Sequence, residues 1–144
     1  MAHANFNVTL KAIIQRADGK ILALKAYDNG PMAGYNDMPG GRIDDNEVSL
    51  DFADILKREI KEELGEINYT LKTNPVAAVS WTWPTGSLKG QEMVSIYFLG
   101  EYQSGEINIS DEHLGHDWIE PTTEQIDKYF TSYHNKALKN YLSL

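Results

Sequence analysis

The chain contains no cysteine, which excludes disulfides and thiolate chemistry and says little about compartment. It has no apolar run near the ~18 residues that span a membrane. Its first residues, Met1-Ala2-His3-Ala4-Asn5-Phe6, lack the charged start and apolar stretch of a signal peptide, so the cytoplasm is the expected setting. Basic residues are scarce: 13 Lys and Arg stand against 21 Asp and Glu, a formal net charge of −8. Broad nucleic-acid binding needs a basic footprint and is excluded. A nucleotide substrate stays open, because a bound metal reverses the local field. No repeat, low-complexity stretch or interdomain linker interrupts the sequence. With 144 residues, 42% of them apolar and 24% charged, the chain is expected to form one domain over residues 1–144 with a true core.

Hydrophobic spacing supplies the elements. Residues 6–16 and Ile21–Leu24 read as strands around the turn Ala17-Asp18-Gly19-Lys20, a hairpin. Residues 27–37 read as an irregular loop, and a short strand is predicted over Asp37–Ile43. A helix is predicted to start near Ser49–Asp51, either end of which can cap it, and to stop at Gly65. Phe52, Leu56, Ile60 and Leu64 recur every four residues and are expected to face the core. Residues 67–71, 75–83, Met93–Tyr102 and Trp118-Ile119 read as strands. Thr122–Phe130 and Tyr133–Leu144 read as helix, broken near Thr131-Ser132. Strands around a mid-chain helix with helix at the end imply an α/β fold whose mixed sheet is covered on both faces.

One stretch carries chemistry. Glu59, Glu62 and Glu63 stand at i, i+3 and i+4, on one face of a helix, where like charges repel by about 0.2–0.5 kcal/mol per pair. A hard divalent cation with oxygen ligands, such as Mg²⁺, is the natural compensation. The same run also reads as a plain solvated acidic face, and Arg58 and Glu62 as an ordinary i,i+4 pair. The Gly40-Gly41 turn upstream favours the cation: glycines allow close backbone approach to a ligand, and a bare carbonyl there can join the carboxylates.

Gly41, five residues and Glu47, then Arg58-Glu59-Ile60-Lys61-Glu62-Glu63-Leu64-Gly65, resemble the signature of the Nudix hydrolases. Met38-Pro39-Gly40 is similar to the family's approach to that box. Ten residues rather than seven separate Glu47 from Arg58, Glu66 takes the final apolar position, and Asn36 stands where many relatives carry Trp. The three added residues are expected before the catalytic turn, in the loop leading into the helix or in an added first turn. Glu47 is then the residue displaced.

The resemblance implies a Nudix-type α/β/α sandwich with a mixed central β-sheet. It implies a Mg²⁺-dependent diphosphatase, with Mn²⁺ as a substitute, cleaving a nucleoside diphosphate linked to X. Candidates for the substrate include a nucleoside triphosphate, ADP-ribose or a dinucleotide. By resemblance Glu59, Glu62, Glu63 and the Gly40 carbonyl are metal ligands. Glu59, with Glu63 as the alternative, is the general base, and Arg58 orients a carboxylate. Asp111-Glu112-His113 is similar to a loop whose Glu reaches a further metal or activates water, which makes Glu112 a candidate. His113 is expected to be structural or exposed, and His3, His116 and His134 show no ligand spacing. Trp81 and Trp83 are candidates for a base-stacking wall or for packing on a hairpin, and Tyr27 and Tyr35 are weaker candidates for substrate contact. Ser80, Trp83 and Pro84 partly resemble an element of NADH diphosphatases, with Gly86 where that element has proline. A homodimer is also among the family's habits. The competing reading is a non-catalytic Nudix-fold module that binds a nucleotide and reports it to a partner. Such modules often lose the motif carboxylates that this chain keeps. An isopentenyl diphosphate isomerase relative is disfavoured, because those enzymes use a catalytic cysteine.

Overall fold

The structure is a computed structural model and describes residues 2–27 and 36–144. Tyr35 and most of the predicted loop lie outside these residues. The strands are β1 (Asn7–Gln15), β2 (Ile21–Lys25), β3 (Asn36–Asp37), β4 (Gly40–Arg42), β5 (Asn68–Leu71), β6 (Ala77–Thr82), β7 (Glu92–Ser104) and β8 (Gly115–Ile119). The helices are α1 (Phe52–Leu64), α2 (Thr123–Tyr129) and α3 (Tyr133–Leu142), with a single 3-10 turn at Asp45–Glu47.

The strands form one mixed sheet. β1 and β7 pair in parallel over their shared length, from Asn7 opposite Met93 to Gln15 opposite Glu101, and the remaining pairs are antiparallel. β1 is apolar on both faces because both are covered. Leu10, Ala12 and Ile14 pack with Ile55, Leu56, Ile60 and Leu64 of α1. Ile13, with Tyr97, Val79 and Ala23, packs with Ile126 of α2, Phe130, and Ala137 and Leu138 of α3. This is the expected α/β/α sandwich.

Two details differ from the expectation. Phe52 is 42% exposed and meets the edge of Phe98. A recurrence of four advances about 40° per step on a helix of 3.6 residues per turn. Three steps before Leu64, Phe52 has therefore swung off the stripe, and Ile55 takes the buried place. The predicted strand over Asp37–Ile43 is two strands. Pro39, with no N–H to give a ladder, marks the break between them, and its carbonyl accepts from Ala12 N at 2.8 Å. The segment fills a wedge. β1 meets β2 at Gln15 and Ile21, β3 pairs with the far end of β2, and β4 pairs with the start of β1. The wedge places Gly40 beside α1.

Candidate active site

α1 runs without interruption from Asp51, its N-cap, to Gly65, whose φ of +80° ends it and whose N–H donates to the Lys61 carbonyl at 3.0 Å. Glu59, Glu62 and Glu63 therefore keep helical register. Glu63, 4% exposed, accepts from Gly40 N at 2.9 Å through Oε2. Gly40 has φ +135°, and a Cβ there would lie 1.9 Å from the Leu10 carbonyl oxygen, so only glycine fits. At Gly41 a Cβ would lie 3.1 Å from Oε1 of Glu59. The wedge thus presses two bare backbone positions against two of the three acidic side chains.

Arg58 gathers the rest. Its guanidinium donates to Glu62 Oε1 at 3.0 Å, to Glu59 Oε1 at 3.2 Å, and to Glu47. Glu47 is buried at the end of the 3-10 turn, where the Asp44 N–H and then Arg58 hold its carboxyl below the usual range. Arg58 therefore makes the i,i+4 pair with Glu62 and also spans to Glu47 and Glu59.

The electrostatics are unequal. Burial pushes the Glu63 carboxyl up to about 8, against the pull of Lys11 and the Gly40 N–H. Burial also raises Glu59; Arg58 opposes this, and the charges of Glu62, Glu47 and Glu112 add to it. Glu112 acts on Glu63 as well, so the fold brings that loop to the acidic helix. Its placement follows from the end of α1. Ser110 N donates to the Glu63 carbonyl at 3.1 Å and Asn108 N to the Leu64 carbonyl at 2.9 Å, satisfying carbonyls that the helix leaves open.

Lys11, Asp37 and His134 were not foreseen. Lys11 Nζ lies 3.0 Å from Asp37 Oδ1 and 3.1 Å from the Met38 carbonyl. Burial would lower its pKa, but Asp37 above all, with Glu63, holds the ammonium above its ordinary value. Asp37 also meets His134 Nε2 at 2.9 Å and receives its neighbour Met38 N at 2.8 Å. Burial alone would raise its carboxyl, but Lys11, His113 and His134 together hold it well below the usual range. Burial keeps the His134 imidazole below its ordinary pKa. A neutral ring donates Nε2–H to the ionised acid, and Nδ1 accepts from the Tyr97 hydroxyl at 2.7 Å. The available signal was Lys11 itself, a charge inside an apolar strand.

The aromatic candidates lie apart from α1. Trp81 stacks on Tyr133 at 3.9 Å and 9°, its Nε1 donates to Ser95 Oγ at 2.8 Å, and Trp83 leans on it at 5.0 Å. Trp81 packs on the face covered by α3, and one of its own faces is taken by Tyr133. Trp83 Nε1 is buried and has no partner among the described residues. Tyr27 is exposed and its hydroxyl donates to the Asp111 carbonyl.

No three His, Asp or Glu side chains among the described residues form a ready-made metal centre; Glu59 and Glu62 are engaged by Arg58 and Glu63 by the Gly40 amide. The donor set nevertheless fits a hard divalent cation. Its groups are oxygen ligands only, and Glu59 and Glu63 lack positive charge enough to hold their ordinary pKa.

A mixed sheet between helices thus carries a helix whose acidic face is seated on two glycines, a cluster of oxygen donors suited to a cation-bearing ligand. Residues 6–141 match the model of the NUDIX domain, and the chain belongs to the Nudix family. It is similar to a MutT protein from Methanosarcina mazei Go1, with 22% identity, TM-score 0.76, and coverage of 99% of this chain and 97% of that one. It is also similar to a MutT NUDIX hydrolase from Burkholderia pseudomallei, with 27% identity, TM-score 0.70, and coverage of 95% and 98%. The NUDIX domain of Shewanella oneidensis NrtR, solved complexed with ADP ribose, shares the fold at 14% identity and TM-score 0.72, covering 98% and 89%. Among curated proteins none matches. No helix of the described residues is long and apolar enough to cross a membrane.

Proposed function

We propose that the chain hydrolyses a diphosphate linkage in a nucleoside diphosphate joined to X, with Mg²⁺ or Mn²⁺ as cofactor. The observation that supports this best is the contact of Gly40 and Gly41 with Glu63 and Glu59. A motif scattered along the sequence becomes one seat of backbone and carboxylate. Glu59, Glu62, Glu63 and the Gly40 carbonyl are the groups that would hold the cation. When bound, Mg²⁺ neutralises phosphoryl charge and lowers the pKa of bound water. Glu59 then takes the proton of the attacking water, with Glu63 as the alternative base. The water oxygen bonds to phosphorus and the bridging P–O bond breaks. Arg58 orients Glu59 and Glu62, a task suited to its rigid fork. Glu112 adds a carboxylate for water or a further cation.

For the substrate, the reading takes in nucleoside triphosphates, ADP-ribose and dinucleotides. Trp81 and Trp83 stay in it as a base-side wall, with Trp83 offering the freer indole. It extends to a cytoplasmic setting and to a homodimer, which light scattering checks. The test is phosphate and pyrophosphate release from a panel of these compounds with millimolar Mg²⁺ or Mn²⁺. Turnover of at least one member is expected. Nucleotide binding with no turnover of any member would overturn the reading in favour of a non-catalytic module.

A further inference from the structure

His113 is adjacent in sequence to Glu112, yet the two side chains have opposite environments. Glu112 is exposed, whereas the His113 side chain is 7% exposed, with Nε2 at 3.6 Å from Asp37 Oδ2. That distance is long for a hydrogen bond and short enough for the carboxylate's charge to hold the ring. Its other nitrogen, Nδ1, is buried without a partner among the described residues. A stranded nitrogen is costly. A residue needed only to fill the space would be apolar, so the imidazole is explained by its contact with Asp37.

Asp37 is already fixed from two other elements, by Lys11 of β1 and His134 of α3. It sits three residues before Gly40, in the same wedge that reaches Glu63. The loop carrying Glu112 is rooted at one end by Ser110 N on the Glu63 carbonyl and at the other by Leu114 N on the Lys25 carbonyl at 2.8 Å. Between these roots, His113 is the side chain that reaches from the loop into the wedge.

We propose that His113, held by Asp37, is a positioning residue that fixes the Glu112 carboxylate against the Gly40 wedge and the acidic face of α1. The proposal rests on the hydrolase reading of Glu112 and adds the residue through which the fold sets it. His113 touches neither substrate nor cation; it acts by limiting where the loop can stand.

The experiment combines kinetics with amide hydrogen exchange. His113→Leu fills the space without the polar contact, and His113→Gln restores a donor near the position of Nε2. Asp37 is left intact, because changing it also strips Lys11 and His134. In the His113→Leu protein kcat is expected to fall about tenfold or more with KM within about twofold, and His113→Gln is expected to recover most of the loss. In a Glu112→Gln background, His113→Leu is expected to cost nothing further, since a residue that acts through another shows no effect once that partner is gone. Exchange of the amides of residues 110–114, measured without substrate or metal, is expected to quicken in His113→Leu while β1 and β7 stay protected. An additive loss in the double variant, a loss confined to KM, or unchanged exchange over residues 110–114 would overturn the proposal. If the wild-type protein turns over no nucleotide, the hydrolase reading fails, and the exchange arm still decides whether His113 pins the loop.

Discussion

Asp37, in β3, and Glu63, on α1, are carboxylates at two ends of the Gly40 wedge, and the fold treats them in opposite ways. Asp37 has a lysine at 3.0 Å, a histidine at 2.9 Å and its neighbour's N–H at 2.8 Å, and its pKa falls well below the ordinary range. Glu63 has one backbone N–H and a more distant share of Lys11, and its pKa rises to about 8. The chain supplies its own cations where a charge serves structure. At Glu63 it leaves the charge under-compensated, as sites that await a charged ligand do.

The strongest way to break this comparison is Asp37→Asn. It takes from the buried Lys11 ammonium its nearest counter-charge, and the loss of unfolding free energy is expected to be about 3 kcal/mol or more. An unchanged urea midpoint would show that Lys11 does not depend on Asp37.

The same change of acid to amide at the other site should act on turnover instead. Glu59→Gln and Glu63→Gln are each expected to cut kcat about 100-fold or more while the circular dichroism spectrum holds. Near-wild-type rates in both at saturating Mg²⁺ would remove them from the chemistry.

A pH series sharpens the contrast. In metal-free protein the Glu63 carboxyl titrates near 4.5 when unfolded and at about 8 when folded. Between those values the unfolded chain has released a proton that the folded one keeps. The contribution of Glu63 is therefore fully present below about pH 4.5 and is lost as pH rises through about 8. Glu63→Gln should flatten that part of the stability profile. Millimolar Mg²⁺ should flatten it from the alkaline side, since a cation bound to the native state adds about 2.7 kcal/mol at a hundredfold excess over Kd. A melting temperature at pH 8 that ignores both Mg²⁺ and Mn²⁺ would count against the cation seat.

The smallest effect is expected at Glu47. Its carboxylate meets Arg58, which keeps Glu59 and Glu62 without it. Glu47→Gln should lower turnover less than about tenfold, since a partly exposed ion pair contributes little. Equal losses in Glu47→Gln and Glu59→Gln would make Glu47 part of the seat itself.

The acidic helix was legible because its information is local. The carboxylates lie three and four residues apart, the glycine stop follows directly, and the apolar stripe runs beside them. Even there, Phe52 was misplaced because a fourfold recurrence drifts around a helix of 3.6 residues per turn. The Asp37 cluster was not legible, because Lys11 lies 26 residues from Asp37 and His134 lies 97 from it. Nothing along the chain marks those residues as neighbours. The wedge of β3 and β4 was read as one strand, since sequence shows neither that β1 and β2 splay nor that two partners divide the segment between them. Stacking of Trp81 on Tyr133 was hidden for the same reason, and it limits how much of that indole a nucleobase can cover.

The parallel pairing of β1 with β7 bears on the order in which the molecule is made. Asn7 is matched to Met93 and Gln15 to Glu101, so during synthesis β1 has no partner on that edge until β7 has been made. Contacts so remote in sequence are slow to form, because the loop between them must be closed first. β1 also carries Leu10, whose carbonyl crowds Gly40, and Lys11, which faces Asp37. A nascent chain arrested before Met93 therefore holds every carboxylate of the motif and still lacks β7, the strand against which β1 is laid. Its hairpin and its acidic helix are left exposed to whatever chaperones or proteases reach them first.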